Sequence, residues 1–89
     1  MPVTRTSGEK AAGAIVISYD ISETRRDYVL VVGPQGTREI PYEWGFAGAA
    51  GAWFRLQPAA DMPESYVAEA KQCLRRNRDV VSLSVRVQP

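Results

Sequence analysis

A turn signal between two apolar runs constrains the fold of this chain more than any other feature. Gly33-Pro34-Gln35-Gly36 separates YVLVV at 28–32 from TREIPY at 37–42. Pro34 supplies the φ that the second position of a type I turn requires, and Gly36 can take the left-handed conformation that closes a short loop with a bulge. β-Branched and aromatic residues on both sides favour strands. The sequence therefore predicts a β-hairpin over 28–42.

The second strand of this hairpin contains a proline. Pro41 has no N–H to donate to a ladder, so we expect an edge position or a bulge there. Apolar and acidic side chains alternate around it, with Ile40, Tyr42 and Trp44 on one face and Glu39 and Glu43 on the other. This alternation predicts a sheet with one buried and one solvated face.

Two further strands are expected near the ends of the chain. The segment 14–19 (AIVISY) is apolar and β-branched, which favours a buried strand. In 80–87, Val81, Leu83, Val85 and Val87 alternate with polar residues, which predicts a half-buried strand against the helix. Residues 1–13 are small and polar and are expected to form a flexible arm, residues 14–89 a single domain, and the charged stretch 20–27 a surface connection.

A helix is predicted over residues 61–77. Asp61 is a suitable N-cap, Glu64 completes a capping-box pattern, and Pro63 falls in the first turn. Apolar side chains with a 3.6-residue period form one stripe: Tyr66, Val67, Ala70, Cys73 and Leu74. The expected fold is α+β, a small mainly antiparallel sheet of four or five strands with one C-terminal helix packed on a face and a final strand returning to the sheet.

Composition argues against several classes of function. The chain has 89 residues, a formal net charge of +1, no His and one cysteine, Cys73, which lies on the apolar stripe. Without His, and with a thiol expected to be buried and inert, we expect no metal, no cofactor and no catalysis. The longest uncharged run, 44–54, is far shorter than the ~18 to 20 residues of a membrane span, so we expect a cytoplasmic protein without membrane contact.

The segment WGFAGAAGAWFRL at 44–56 carries both tryptophans and both phenylalanines of the chain. Its glycines, Gly45, Gly48 and Gly51, fit neither the P-loop nor the dinucleotide-binding pattern. A helix is one possibility, but each interior glycine costs a helix about 1 kcal/mol. We therefore favour a loop followed by a short strand from 52 to 57, with Phe54 facing the core and Trp53 facing outward.

The aromatic side chains of this segment are the leading candidates for function. A thin core cannot easily bury all four rings, and exposed aromatic rings are favoured anchors for protein partners. The candidate contact residues, for a protein partner or a homodimer, are Trp44, Phe46, Trp53 and Phe54. Packing of these rings within the fold is the competing interpretation, and loss of association in Trp53→Ser would separate the two. The leading hypothesis is a small bacterial accessory or interaction domain without catalysis.

Two other hypotheses remain open. A basic ridge near the end of the helix could follow a nucleic-acid backbone through Lys71, Arg75, Arg76 and Arg78. Alternatively, the carboxylates of the N-terminal half could meet across the sheet in a small-ligand site or a carboxylate-based enzyme: Asp20, Glu23, Asp27, Glu39 and Glu43.

Overall fold

The computed structural model of the chain describes residues 13–21 and 24–89. Within these residues, five strands form one sheet in the order β1-β2-β3-β4-β5. The elements are β1 Gly13–Ile21, β2 Thr24–Gly33, β3 Gly36–Phe46, β4 Ala52–Leu56, α1 Glu64–Asn77 and β5 Val80–Val85. Strands β1 to β4 pair antiparallel with one another, and β5 is parallel to β4. The predicted α+β class, with a C-terminal helix and a final strand returning to the sheet, is confirmed.

Helix α1 connects the two parallel strands and covers one face of the sheet. Parallel neighbours require a crossover connection, and α1 supplies it between β4 and β5. The predicted stripe is confirmed, since Tyr66, Ala70, Cys73 and Leu74 are fully buried and Val67 packs against them. The sheet contributes the other half of the core through Val29, Val31, Ile40, Tyr42, Ala52, Phe54 and Leu56.

The predicted hairpin joins β2 to β3 and also anchors the start of α1. Gly36 has φ +85°, the left-handed conformation expected of it. The buried hydroxyl of Tyr66 donates to the carbonyl oxygen of Gly36 at 2.6 Å and accepts from the backbone N–H of Gln35 at 2.9 Å. The first turn of α1 is therefore fixed above the β2–β3 turn.

The expectation that Pro41 lies at a sheet edge or in a bulge is wrong, because β3 is the central strand. Strand β3 pairs with β2 as far as Pro41 and with β4 from Tyr42 onward. Pro41 therefore lies where one ladder ends and the next begins, and its carbonyl oxygen accepts from the N–H of Gln57 at 2.8 Å. A proline is tolerated at this change of neighbours because its position ends one ladder and precedes the other.

The helix begins three residues later than expected, and the predicted capping box is wrong. Pro63 occupies the N-cap position with extended dihedral angles, and no described side chain caps the first turn. A residue before proline is biased away from helical dihedrals, so Met62 cannot easily continue the helix backward. Asp61 instead accepts a hydrogen bond from Arg38 at 3.1 Å.

Two segments of the chain also differ from the expectation. Of the charged stretch 20–27, the described residues 20–21 and 24–27 extend the β1–β2 ladder, with Asp20 opposite Arg25. Strand β5 is shorter than predicted, because Val87 lies beyond its end. The register between β4 and β5 shifts after the pairing of Ala52 with Val80, so Val81 is a bulge residue without a partner opposite it on β4. Its side chain is 49% exposed instead of facing the helix. Leu83 keeps its predicted place against the core.

The predicted N-terminal arm, residues 1–13, lies outside the described residues except for Gly13, which begins β1. The predicted single domain over 14–89 stays a prediction. The segment 45–52 is the end of β3, a turn and the start of β4, so the loop-then-strand prediction is confirmed over the helix.

Candidate functional site

The helix-side face of β3 becomes steadily more exposed toward the end of the strand. Ile40 is 0% exposed and Tyr42 6%, Trp44 is half-buried, and Phe46 is 82% exposed. All four side chains lie on the same face of one strand, because side chains alternate along a strand. All four side chains are apolar or aromatic, so the change along the strand is in how far other elements of the fold cover them.

The position of α1 accounts for this change in cover. The helix begins near the Gly36 end of β3, where Tyr66 fixes it, and packs most closely on β1 and β2 and then on β5. The 78–79 connection that follows the helix meets Ala52, the β4 neighbour of Phe46, and not Phe46 itself. Phe46 lies in this uncovered part of the sheet.

The aromatic side chains at the uncovered end are held by specific contacts. The ring of Phe46 meets the ring of Trp44 edge to face, with centroids 5.1 Å apart. The indole Nε1–H of Trp44 donates to the carboxylate of Asp27 at 3.3 Å, which joins β3 to β2. On β4, Phe54 lies opposite Trp44 and is only 3% exposed. Trp44 therefore has a defined orientation between the buried core and the exposed Phe46 ring.

These rings form one wall of a pocket of about 480 Å³, named here the Phe46 pocket. Its other walls are the 48–51 turn, Asp27 on β2 and the residues that follow the helix. The residues that line it include Trp44, Phe46, Ala49, Phe54, Arg78 and Asp79. A volume of this size lies in the range of about 300 to 1,000 Å³ that is typical of ligand pockets. The lining is mainly apolar, with charge concentrated where the helix ends.

Gly51 positions the charged part of this rim. Its φ is +145°, and a Cβ atom at this position would lie 2.3 Å from the carbonyl oxygen of Asp79. The next residue, Ala52, donates its N–H to the same oxygen at 2.9 Å. Only glycine allows this close approach without strain. The turn therefore fixes the 78–79 connection, with Arg78 and Asp79 exposed beside the aromatic rings.

Trp53 lies on the opposite face of the sheet from the Phe46 pocket. It pairs with Gly45, and its indole fills the place of the absent side chain, since a Cβ on Gly45 would lie 2.6 Å from Nε1. The guanidinium of Arg55 lies over the ring at 5.5 Å from its centroid and forms an ion pair with Glu43 at 2.5 Å. Trp53 is therefore half-buried by Gly45 across the ladder and by Arg55, two residues along the same strand.

The four candidate partner-contact residues are thus divided among three environments. Trp44 and Phe46 lie together at the uncovered end of the helix-side face, Phe54 is buried beside Trp44 on the neighbouring strand, and Trp53 is on the other face. The prediction that Phe54 faces the core and Trp53 faces outward is confirmed. The structure offers Phe46, more than Trp53, as the side chain for testing partner contact.

The basic ridge of the nucleic-acid hypothesis is mixed with acidic groups. Arg76 donates to the carboxylate of Glu69 at 3.2 Å, and Arg78 donates to the carbonyl oxygen of Asn77 at 3.0 Å. Arg75 is exposed and Lys71 half-buried. Arg78 lines the Phe46 pocket, so the structure divides the ridge between the helix surface and the pocket rim.

Three of the candidate carboxylates, Asp27, Glu39 and Glu43, line an open cleft of about 660 Å³ where β2 and β3 separate beyond Pro41. Asp27 accepts a hydrogen bond from the Trp44 indole, and Glu43 accepts one from Arg55. No group of three or more metal-ligating side chains occurs among the described residues. The side chains of Asp20 and Glu23 lie outside the described part of the chain.

Cys73 lies in the core beneath α1. Burial raises the pKa of its thiol, and Glu69 adds a smaller rise, whereas Arg76, Asn77 and Arg78 make smaller opposing contributions. Asn77 donates to the Cys73 carbonyl oxygen at 2.7 Å. A thiol that is protonated at neutral pH and inaccessible is a packing group, not a nucleophile.

Sequence patterns did not indicate that Arg78 and Asp79 border an aromatic pocket. One signal could have suggested it: the very short passage between helix and last strand. Comparison of the chain with protein-family models, curated proteins and solved structures finds no match. Among the described residues, no helix has the length and apolar character that a membrane crossing demands.

Proposed function

We propose that the chain is a non-catalytic interaction domain that binds a protein through the Phe46 pocket. The observation that supports this proposal most is the 82% exposure of Phe46 at the edge of an apolar pocket. Exposing a phenyl ring to water costs free energy that burial against a partner would recover, at about 25 cal/mol per Å² of apolar surface. An exposed aromatic ring beside a pocket is the arrangement in which interface hot spots occur.

The surroundings of Phe46 favour a protein over other ligands. The exposed charges at the rim are Arg78 and Asp79, which have opposite signs and are adjacent. A nucleic-acid surface requires an excess of positive charge along a phosphate path, and Asp79 opposes this. Protein interfaces, in contrast, combine an apolar centre with a mixed polar rim.

The remaining parts of the proposal concern context. A role as a small accessory protein in the cytoplasm of a bacterium fits the single cysteine and the arginine-rich composition, in which nine of the eleven basic residues are arginine. We expect no cofactor and no metal for a contact of this kind.

Photocrosslinking in cells of the source organism tests the proposal. A photoreactive benzoylphenylalanine replaces Phe46, whose aromatic ring it resembles and whose side chain has room at the surface. The matched control carries the same group at Val32, which is 45% exposed and belongs to the solvated face. We expect irradiation to link position 46, but not position 32, to a protein, which mass spectrometry identifies.

Other outcomes of the same experiment would overturn the proposal. Crosslinks to nucleic acid at position 46, removed by nuclease, would move the function to the basic ridge. Equal labelling at positions 46 and 32 would mean that the contacts are random encounters. A lack of protein crosslinks at position 46, with the domain folded and expressed, would leave the pocket as a small-ligand site.

A further inference from the structure

We infer that the protein bound at the Phe46 pocket is a second copy of this chain, related to the first by a two-fold axis. This inference rests on the proposed function, since it names the partner of the same surface. Two features of the surface carry it: its shape and the arrangement of its charges.

The surface contains both halves of a knob-and-hole contact. The Phe46 ring projects, and the pocket beside it, about 480 Å³ in volume, is larger than a phenyl ring. In a two-fold contact the same patch meets itself, so a patch must be complementary to its own copy. Two copies can each place Phe46 in the other's pocket, against the Trp44 ring and the small side chain of Ala49.

The rim charges are also complementary to themselves. Arg78 and Asp79 are adjacent and exposed, and both line the pocket. A two-fold axis beside this pair brings Arg78 of one copy to Asp79 of the other, and the reverse, so two ion pairs form from one patch. The third charged side chain of the lining, Asp27, is directed to the Trp44 indole within its own chain.

The expected affinity follows from the size of the patch. Stable interfaces bury roughly 800 Å² on each partner, more than one ring, one turn and two rim residues provide. The contact therefore belongs to the weak class, with an expected Kd on the order of tens of micromolar.

Sedimentation velocity of the purified full chain, over a wide range of concentrations, tests the inference. The wild type is expected to change from monomer to dimer, and Phe46→Ser to remain monomeric. The single variants Arg78→Glu and Asp79→Lys each place like charges opposite one another, which we expect to weaken the dimer about tenfold.

Mixing the two charge variants gives the most specific test of the two-fold contact. In the mixed pair, the glutamate introduced at position 78 of one copy faces the lysine introduced at position 79 of the other. The native Asp79 of the first copy then faces the native Arg78 of the second. The mixture is therefore expected to form heterodimers of nearly wild-type affinity, although neither variant dimerises well alone.

Two further variants extend the test with the charge variants. The double variant Arg78→Glu/Asp79→Lys carries the swapped pair of charges in one chain and should also dimerise. Circular dichroism confirms folding of every variant, and Asp79→Arg replaces Asp79→Lys if the latter is unfolded.

The contrary outcomes separate this inference from the proposed function. A wild type that stays monomeric at millimolar concentration, while position 46 crosslinks to a different protein, would overturn the second copy and leave the interaction domain. A dimer that is insensitive to Phe46→Ser and to both charge variants would overturn the inference, because another surface would then form it. A mixture that dimerises no better than its components would overturn the two-fold pairing of Arg78 with Asp79.

Discussion

The two faces of the β3–β4 hairpin carry aromatic side chains in opposite surroundings. On the solvated face, Trp53 lies over Gly45 and beneath the guanidinium of Arg55, which is paired with Glu43. On the helix-side face, Phe46 contacts the edge of Trp44 but remains 82% exposed. The ring of Trp53 is therefore well covered although it lies on the solvated face, whereas the ring of Phe46 is exposed to water although it lies on the face that contains the core.

The difference arises from what covers each face. Cross-strand pairing covers Trp53, and such pairs depend only on the local register of two strands. Cover of Phe46 would have to come from α1, which packs most closely on β1, β2 and β5 and not on the end of β3. The exposure of an aromatic ring therefore depends on where a neighbouring element packs. Rings that lack such cover are the ones available for a partner.

The largest expected effect is the loss of stability in Phe54→Ala. Phe54 faces the core on the strand next to the uncovered end, with its ring centroid 5.7 Å from that of Tyr42. Truncation of a buried phenylalanine typically costs about 3 to 5 kcal/mol, from lost transfer free energy and from the cavity left behind. Urea denaturation followed by circular dichroism measures it. A loss below about 1 kcal/mol would show that this end of the core is loosely packed and would weaken the contrast with Phe46.

Next in size is the effect of Trp53→Ser on the solvated face. The variant removes the cover of Gly45 and the ring beneath Arg55, and we expect a stability loss of about 1 to 2 kcal/mol. The dimer should be unaffected, because Trp53 lies on the opposite face from the Phe46 pocket. This expectation replaces the one made from the sequence, which used Trp53→Ser to test association. Sedimentation of the folded variant decides between them, since loss of the dimer would place the contact on the solvated face.

Gly45→Ala should have a smaller effect, and one that depends on Trp53. The added methyl group would lie 2.6 Å from the indole Nε1, so the ring must move away. We expect a loss of about 1 kcal/mol in the wild type, as for moderate overpacking, and a change in tryptophan fluorescence. In the Trp53→Ser background the same substitution should cost nothing. A double-mutant cycle measures this coupling, and additive losses would mean that Trp53 does not depend on Gly45 for its position.

Much of the fold could be predicted from local patterns. The Gly33-Pro34-Gln35-Gly36 turn, the alternation along β3 and β4 and the apolar stripe of α1 are consequences of short-range geometry, and the structure confirms each. The direction of the Trp53 and Phe54 side chains followed from the same alternation. Patterns of this kind need no knowledge of which elements become neighbours.

The features that could not be predicted depend on tertiary placement. Nothing in the spacing of Asp61, Pro63 and Glu64 shows that Asp61 pairs with Arg38 instead of capping the helix. The exposed position of Val81 results from a register shift opposite Ala52, which a clean alternation conceals. The candidate site belongs to this second class, because Arg78 and Asp79 meet the 48–51 turn only when α1 has crossed the sheet.

The smallest expected effect on stability, and the one that sharpens the comparison most, belongs to Phe46→Ser. Phe46 and Phe54 are the same residue type on the same face of neighbouring strands, so cover alone separates them. Because water already surrounds most of the Phe46 ring, its removal should change the free energy of unfolding by less than about 0.5 kcal/mol, or even stabilise the monomer. Urea denaturation at low micromolar concentration, where the monomer dominates, gives this value.

The same experiment at high protein concentration shows whether the Phe46 ring contacts a second copy or packs against its own chain. If Phe46 joins two copies, the wild type should gain stability with increasing protein concentration, by mass action, while Phe46→Ser should not. The two proteins would then unfold at the same urea concentration when dilute and at different ones when concentrated. A loss of about 2 kcal/mol or more in the dilute variant, as for a buried side chain, would mean that Phe46 belongs to the core and that the pocket beside it is not an interface.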